Sequence, residues 1–104
     1  GRLNRMITRW STGKNLRQLL RTLPTMFKGR EVPDPIAAAA DTGPKPEDLK
    51  RTYLKVIRCI HPDKTHAAPI QHKLLCQRLF TVLSERYQAH QTAMAKKEAR
   101  ASAD

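Results

Sequence analysis

Apolar residues recur at helical spacing in three stretches of this 104-residue chain, and turn-forming residues separate them. The first stretch covers about 14–28. Leu16, Leu19, Leu20 and Leu23 share one face, Arg17 and Arg21 turn away from it, and Met26 and Phe27 continue the phase. Pro24 interrupts the run: proline lacks the N–H and crowds the carbonyl four residues back, so the helix either ends at Leu23 or kinks, and the continued period favours a kink. Ser11 or Thr12 is the expected cap. The second stretch covers about 46–60, with Leu49, Tyr53, Val56, Ile57 and Ile60 on its apolar side. Pro46 suits the first helical position, and Glu47 and Asp48 suit the positive end of the helix dipole. Lys45 caps poorly, so fraying of the first turn is expected. Pro62 pushes His61 out of helical geometry, which stops this helix near Ile60. The third stretch covers about 70–92, where Cys76, Leu79, Phe80, Leu83 and Tyr87 recur and Leu75 and Val82 widen the stripe.

The connections follow from what lies between these stretches. Residues 29–45 carry Pro33, Pro35, Gly43 and Pro44 around four alanines, and read as a loop. Residues 61–69 form a short link, so the second and third helices should pack as an antiparallel hairpin with His61-Pro62-Asp63 at its tip. Residues 1–13 read as an N-terminal extension whose Met6, Ile7 and Trp10 make a helical turn or two, with Trp10 as a packing anchor. Residues 93–104 alternate alanine with charge and have almost nothing to bury, which predicts a fraying helix end or a disordered tail. The expected fold class is all-α, a helical hairpin braced by an N-terminal helix.

A chain of this size buries roughly 60 to 70% of the surface that it exposes when unfolded, which disfavours a deep enclosed active site. No apolar run approaches the length of a membrane span. The formal charge is +11, and no acid precedes Glu31, whereas Arg2, Arg5, Arg9, Lys14, Arg17, Arg21, Lys28 and Arg30 all lie in the first 30 residues. An anionic partner is implied, with attraction that salt weakens. An Arg-rich, acid-free beginning also fits a mitochondrial presequence. Because the chain starts at Gly1 rather than at Met, it reads instead as a segment of a longer protein.

The candidate chemistry is concentrated in one place. In the second helix Arg51, Lys55 and Arg58 project opposite the apolar side and Lys50 sits at the border, directly before His61, Pro62, Asp63 and Lys64. An imidazole, a rigid ring and a carboxylate beside positive charge suit docking onto a polar, acidic partner. The alternative is a purely structural turn, with Asp63 capping the chain locally. Catalysis by His61 and Asp63 is disfavoured, since no nucleophile accompanies them and a loop tip lacks the burial that tunes such groups. Two cysteines, Cys59 and Cys76, are too few for a disulfide scaffold and fit a reducing compartment. His61, His66, His72 and Cys76 lack the paired spacing of a zinc finger, so no metal and no cofactor is expected. A nucleic-acid-binding helical module is the rival suggested by charge, but only Asn15, Gln18 and Gln77 resemble base-reading residues.

His61-Pro62-Asp63, preceded by a basic helix containing Tyr53 and followed by Phe80, Leu83 and Tyr87, resembles the J domain of DnaJ-type co-chaperones, the domain being placed at 14–92 and the likeness running from Ile7 to about Gln88. The run Trp10-Ser11-Thr12-Gly13-Lys14-Asn15-Leu16-Arg17-Gln18-Leu19-Leu20 is similar to the opening of auxilin-type J domains, and 29–45 to the long loop those domains insert. The resemblance implies a monomeric, non-enzymatic module that stimulates ATP hydrolysis by a seventy-kilodalton heat-shock (DnaK-type) chaperone. It further implies action on the clathrin coat, in the cytoplasm and at coated vesicles. His61, Pro62 and Asp63 would engage the chaperone's nucleotide domain and linker, Asp63 pairing an arginine there. Lys50, Arg51, Lys55, Arg58 and Lys64 would lie against its acidic face. No nucleic acid and no membrane insertion are implied. Three positions depart from the pattern: Leu54 replaces a common basic residue, Pro24 interrupts the first helix, and Arg86 stands where alanine is common.

Overall fold

Asn15 opens the first core helix by a reciprocal cap. Its side chain accepts from the Gln18 N–H and its own N–H donates to the Gln18 side chain, each at 2.9 Å. Asn15, rather than Ser11 or Thr12, is therefore the cap; those two hydroxyls instead donate to the Thr8 carbonyl one turn back. The computed structural model describes the backbone of residues 2–27, 29, 31–42 and 45–103, and the side chains of these except 42, 46 and 97–103. The described residues form α1 (Arg2–Ser11), α2 (Leu16–Thr22), α3 (Asp34–Thr42), α4 (Leu49–Ile60), α5 (Pro62–Thr65) and α6 (Ile70–Ala103), with 3-10 turns at Leu23–Phe27 and Pro46–Asp48. The fold is all-α, as expected.

Pro24 neither simply kinks nor simply ends the first helix. The α-helix stops at Thr22 and the chain rewinds as a 3-10 turn, whose shorter hydrogen-bond reach tolerates the proline and keeps Leu23, Met26 and Phe27 buried. Position 28, the expected end of that helix, lies outside the described residues. The predicted loop 29–45 contains α3. Pro33 precedes its first turn, its carbonyl accepting from Ile36 and Ala37 N–H at 3.0 Å, and the four alanines are the best helix formers available. Prolines at the start of a helix cost nothing there, because first-turn N–H groups have no intrahelical partner. Positions 30, 43 and 44 of the predicted loop lie outside the described residues. The second predicted helix begins as the 3-10 turn at Pro46–Asp48, and Asp48 makes no side-chain cap. The third extends through Ala103, beyond the expected 92.

The core lies where α2, α3, α4 and α6 meet. Leu19, Leu20, Leu23, Ile36, Val56, Ile60, Leu79 and Leu83 are inaccessible, and Leu16, Leu49, Tyr53 and Cys76 are nearly so. Ile57, Phe80 and Tyr87 are half-buried against the core rather than within it. Tyr53 and Tyr87 stack with centroids 4.1 Å apart, and the Tyr53 hydroxyl donates to Ser84 Oγ at 3.4 Å, tying α4 to α6.

Trp10 anchors α1, its indole N–H donating to Thr22 Oγ1 at 2.9 Å. Gly13, at φ +76°, turns the chain from α1 into α2 in a conformation that side chains resist. Arg86 of α6 donates to the Lys14 carbonyl at this turn, which gives the departure at that position a structural task. The 34 residues of α6 span about 51 Å at 1.5 Å per residue, matching the 53 Å long dimension of the molecule. Past Tyr87 the described side chains of α6 are exposed, apart from His90, which is half-buried.

Candidate functional site: the tip between α4 and α6

Ile60 is the last helical residue of α4 and the backbone turns extended at His61, φ −61° and ψ 141°, the geometry forced by a following proline. Pro62 then starts α5, where its missing N–H is not needed. The segment expected as loop 61–69 thus holds a short helix. His61 caps it: the Asp63 N–H donates to His61 Nδ1 at 3.1 Å, and the His61 carbonyl accepts from Lys64 N, Thr65 N and Thr65 Oγ1 at 2.9, 3.2 and 3.3 Å. Since Nδ1 is an acceptor here, the ring proton sits on Nε2. The Asp63 carboxylate is 3.6 Å from Nδ1, too far for a hydrogen bond, and that nitrogen's lone pair is already engaged.

The imidazole is set against α6. Its ring meets Phe80 edge-on, centroids 5.5 Å apart at 81°, and its side chain remains 44% exposed. It is therefore propped rather than freely protruding. The Asp63 side chain is 91% exposed, so the carboxylate stands in solvent beside a fixed ring and proline. His66 Nδ1 donates to the Asp63 carbonyl at 2.9 Å, which pins the backbone without touching the acid. Phe80, Thr65 and His66 are the residues that motif reading missed as parts of the tip. Thr65, 5% exposed and four residues after His61, carried a legible signal, because a hydroxyl at that spacing reaches back to a carbonyl.

Arg51, Lys55 and Arg58 are all exposed on one face of α4, and no carboxylate lies within ion-pair distance of them among the described residues. Leu54, 40% exposed, sits between Arg51 and Arg58 and narrows the positive face. Lys50 does not share that face; it borders a shallow hollow with Tyr87, His90, Gln91 and Met94 of α6. Lys64 is exposed on α5, one residue past Asp63. The geometry thus joins His61, Pro62, Asp63 and Lys64 into one tip, with a cationic strip behind them and Lys50 off to the side.

This chain is similar to a plant auxilin-related protein. The relative is auxilin-related protein 1 of Arabidopsis thaliana, 35% identical over 89 residues. That alignment covers 76% of this chain and 9% of the relative, so the chain spans a small part of the protein that it matches. No family model matches the chain, and no solved structure matches it.

Other chemistry has less to stand on. His72 Nε2 lies 3.5 Å from Cys76 Sγ, but no group of three metal-ligating side chains comes together among the described residues. Cys59 Sγ donates to the Lys55 carbonyl at 3.4 Å, and partial burial raises its thiol pKa above the usual range. No helix among the described residues is long and apolar enough to cross a membrane.

Proposed function

We propose that this chain is a J-domain co-chaperone module of the auxilin type. It binds a seventy-kilodalton heat-shock (DnaK-type) chaperone and stimulates its ATPase without being an enzyme itself. The observation that carries this reading is the tip: the His61 ring is held by a backbone N–H and by the Phe80 ring, and the Asp63 carboxylate beside it is 91% exposed. A preorganised charge loses little freedom when it pairs with a partner cation, so most of the pairing energy can favour one partner state over another. Arg51, Lys55 and Arg58 guide an acidic partner surface toward the tip, a task for exposed charges that raises the encounter rate. The likeness to an auxilin-related protein supports the co-chaperone part of this reading; clathrin-coat disassembly, in the cytoplasm at coated vesicles, is the process that the resemblance to auxilin-type J domains implies.

The test is single-turnover ATP hydrolysis by a DnaK-type chaperone with and without the chain. Acceleration by the wild type, lost in His61→Gln with helical circular dichroism retained, is the expected result. Undiminished acceleration by the variant would remove the tip from the mechanism.

A further inference from the structure

A second surface lies away from the tip, where α1, the 3-10 turn and the beginning of α6 meet. Leu3, Met26 and Leu75 floor an open groove of about 560 Å³ whose walls are Met6 and Leu74, with Arg2 at its margin. Met6 is 47% exposed and Leu74 44%, and Ile70, 64% exposed, extends the apolar surface one turn further along α6. These large side chains have no cover in the folded chain, and contiguous exposed apolar surface of this kind marks interaction sites. Arg2 is the one charged side chain lining the groove among the described residues, and Glu31 borders a separate hollow with Pro69 and His72 at the start of α6. Arg2, Arg5 and Arg9 lie along α1, no acid occurs before Glu31, and the first acid of α6 is Glu85, more than three turns past Leu74.

We propose that this groove docks an amphipathic helix of a partner protein, with two or three apolar side chains on one face and carboxylates flanking them. The concave floor between two helices accepts a helical ridge, and Arg2 at the groove, with Arg5 and Arg9 further along α1, favours acidic flanks. A flat bilayer would reach Met6, Leu74 and Ile70 but not the floor at Leu3 and Met26. A second copy is disfavoured, because two chains of charge +11 repel each other. The site is independent of the chaperone reading and stands or falls without it.

The experiment is fluorescence anisotropy with a fluorescein-labelled helical peptide carrying leucines on one face and glutamates flanking them. Its controls are a peptide with lysine for glutamate, one with alanine for leucine, and vesicles of phosphatidylserine and phosphatidylcholine. The expected result is saturable binding of the leucine–glutamate peptide, weakened about tenfold or more by Met6→Glu or Leu74→Glu, weakened by salt, and unchanged by His61→Gln. Equal binding of the lysine peptide, preference for vesicles, or full binding by a folded Leu74→Glu chain would overturn the proposal. Should Leu74→Glu disturb folding, amide shift mapping on the wild type decides: peptide-induced shifts centred on Leu3, Met6, Leu74 and Leu75 support the groove, and shifts centred elsewhere refute it.

Discussion

Asp63→Asn separates the two things that a carboxylate at a helix start can do. If Asp63 serves the turn, removing its charge should destabilise the chain; if it serves a partner, the fold should not register the change. In the structure its side chain is 91% exposed, and its one ion-pair neighbour among the described residues, His61 Nδ1, is 3.6 Å away and already occupied by a backbone N–H. The backbone groups of Asp63 keep their partners in the variant, since the N–H donates to His61 and the carbonyl accepts from His66. The structural cost is then that of an ordinary surface change, within about 0.5 kcal/mol. At about 4–8 °C per kcal/mol for a domain of this size, the thermal midpoint should fall by less than about 4 °C.

Under the proposed chaperone contact, the functional cost is of another order. Truncating one partner of a charge pair that is desolvated on docking costs about 2–5 kcal/mol, which is roughly 30- to 4000-fold in the equilibrium. Thermal unfolding by circular dichroism, run beside single-turnover chaperone ATPase titrations on the same preparation, reads both numbers. The expected pair is an unmoved midpoint and stimulation lost across the accessible concentration range. A midpoint lowered by 8 °C or more, the equivalent of at least about 1 kcal/mol, would return Asp63 to a local structural role. Full stimulation with an unmoved midpoint would refute the contact role outright.

Four further outcomes are expected. Replacing Arg51, Lys55 and Arg58 by Glu should slow association with the chaperone far more at low than at high salt in stopped-flow measurements, because all three side chains are exposed; equal slowing at both would indicate misfolding. Asn15→Ala removes a reciprocal cap and should cost about 1–2 kcal/mol by urea denaturation, whereas Ser11→Ala and Thr12→Ala should cost less. Ile36→Ala empties a fully inaccessible site beneath α2 and α4 and should cost about 2–5 kcal/mol, far more than any change in a surface loop would. Cys59 should alkylate more slowly than a free thiol at the same pH. Its folded pKa lies above the unfolded one, so the folded state holds the proton more tightly, and the associated stability erodes as pH rises through the thiol range.

Periodicity located α2, α4 and α6 as far as Tyr87 because each presents an unbroken apolar stripe there, and proline chemistry located the end of α4, since Pro62 acts on His61 without help from the rest of the fold. What stayed hidden depended on tertiary partners or on reading punctuation by position. Pro33 and Pro35 suggested a loop, yet both stand at the start of α3, where proline is harmless, and the Ile36–Ala39 spacing was the signal that a buried helix followed. The cap at Asn15 was legible too, as an Asn followed three residues on by Gln. No local pattern reveals that Phe80 props His61 or that Arg86 closes the turn at Lys14, because those contacts join residues 19 and 72 positions apart, and only the packing of α6 brings them together.

On the proposed chaperone reading, these distant contacts bear on how the tip and the strip divide their work. The imidazole is held by a backbone N–H from within the turn and by an aromatic edge from α6, and its carbonyl takes three donors, so the tip is over-determined by its own surroundings. Arg51, Lys55 and Arg58 have no such constraints among the described residues and keep the rotamer freedom of long exposed side chains. Rigid groups suit a contact whose geometry must distinguish two states of a partner, because freedom already lost in folding is not lost again on binding. Mobile charges suit long-range attraction, which depends on sign and distance rather than on pose. Tightening the strip with engineered ion pairs should therefore slow encounter without touching the switch, whereas loosening the tip through Phe80→Leu should leave encounter intact and blunt the switch. The two substitutions part cleanly when association rate and ATPase stimulation are measured side by side.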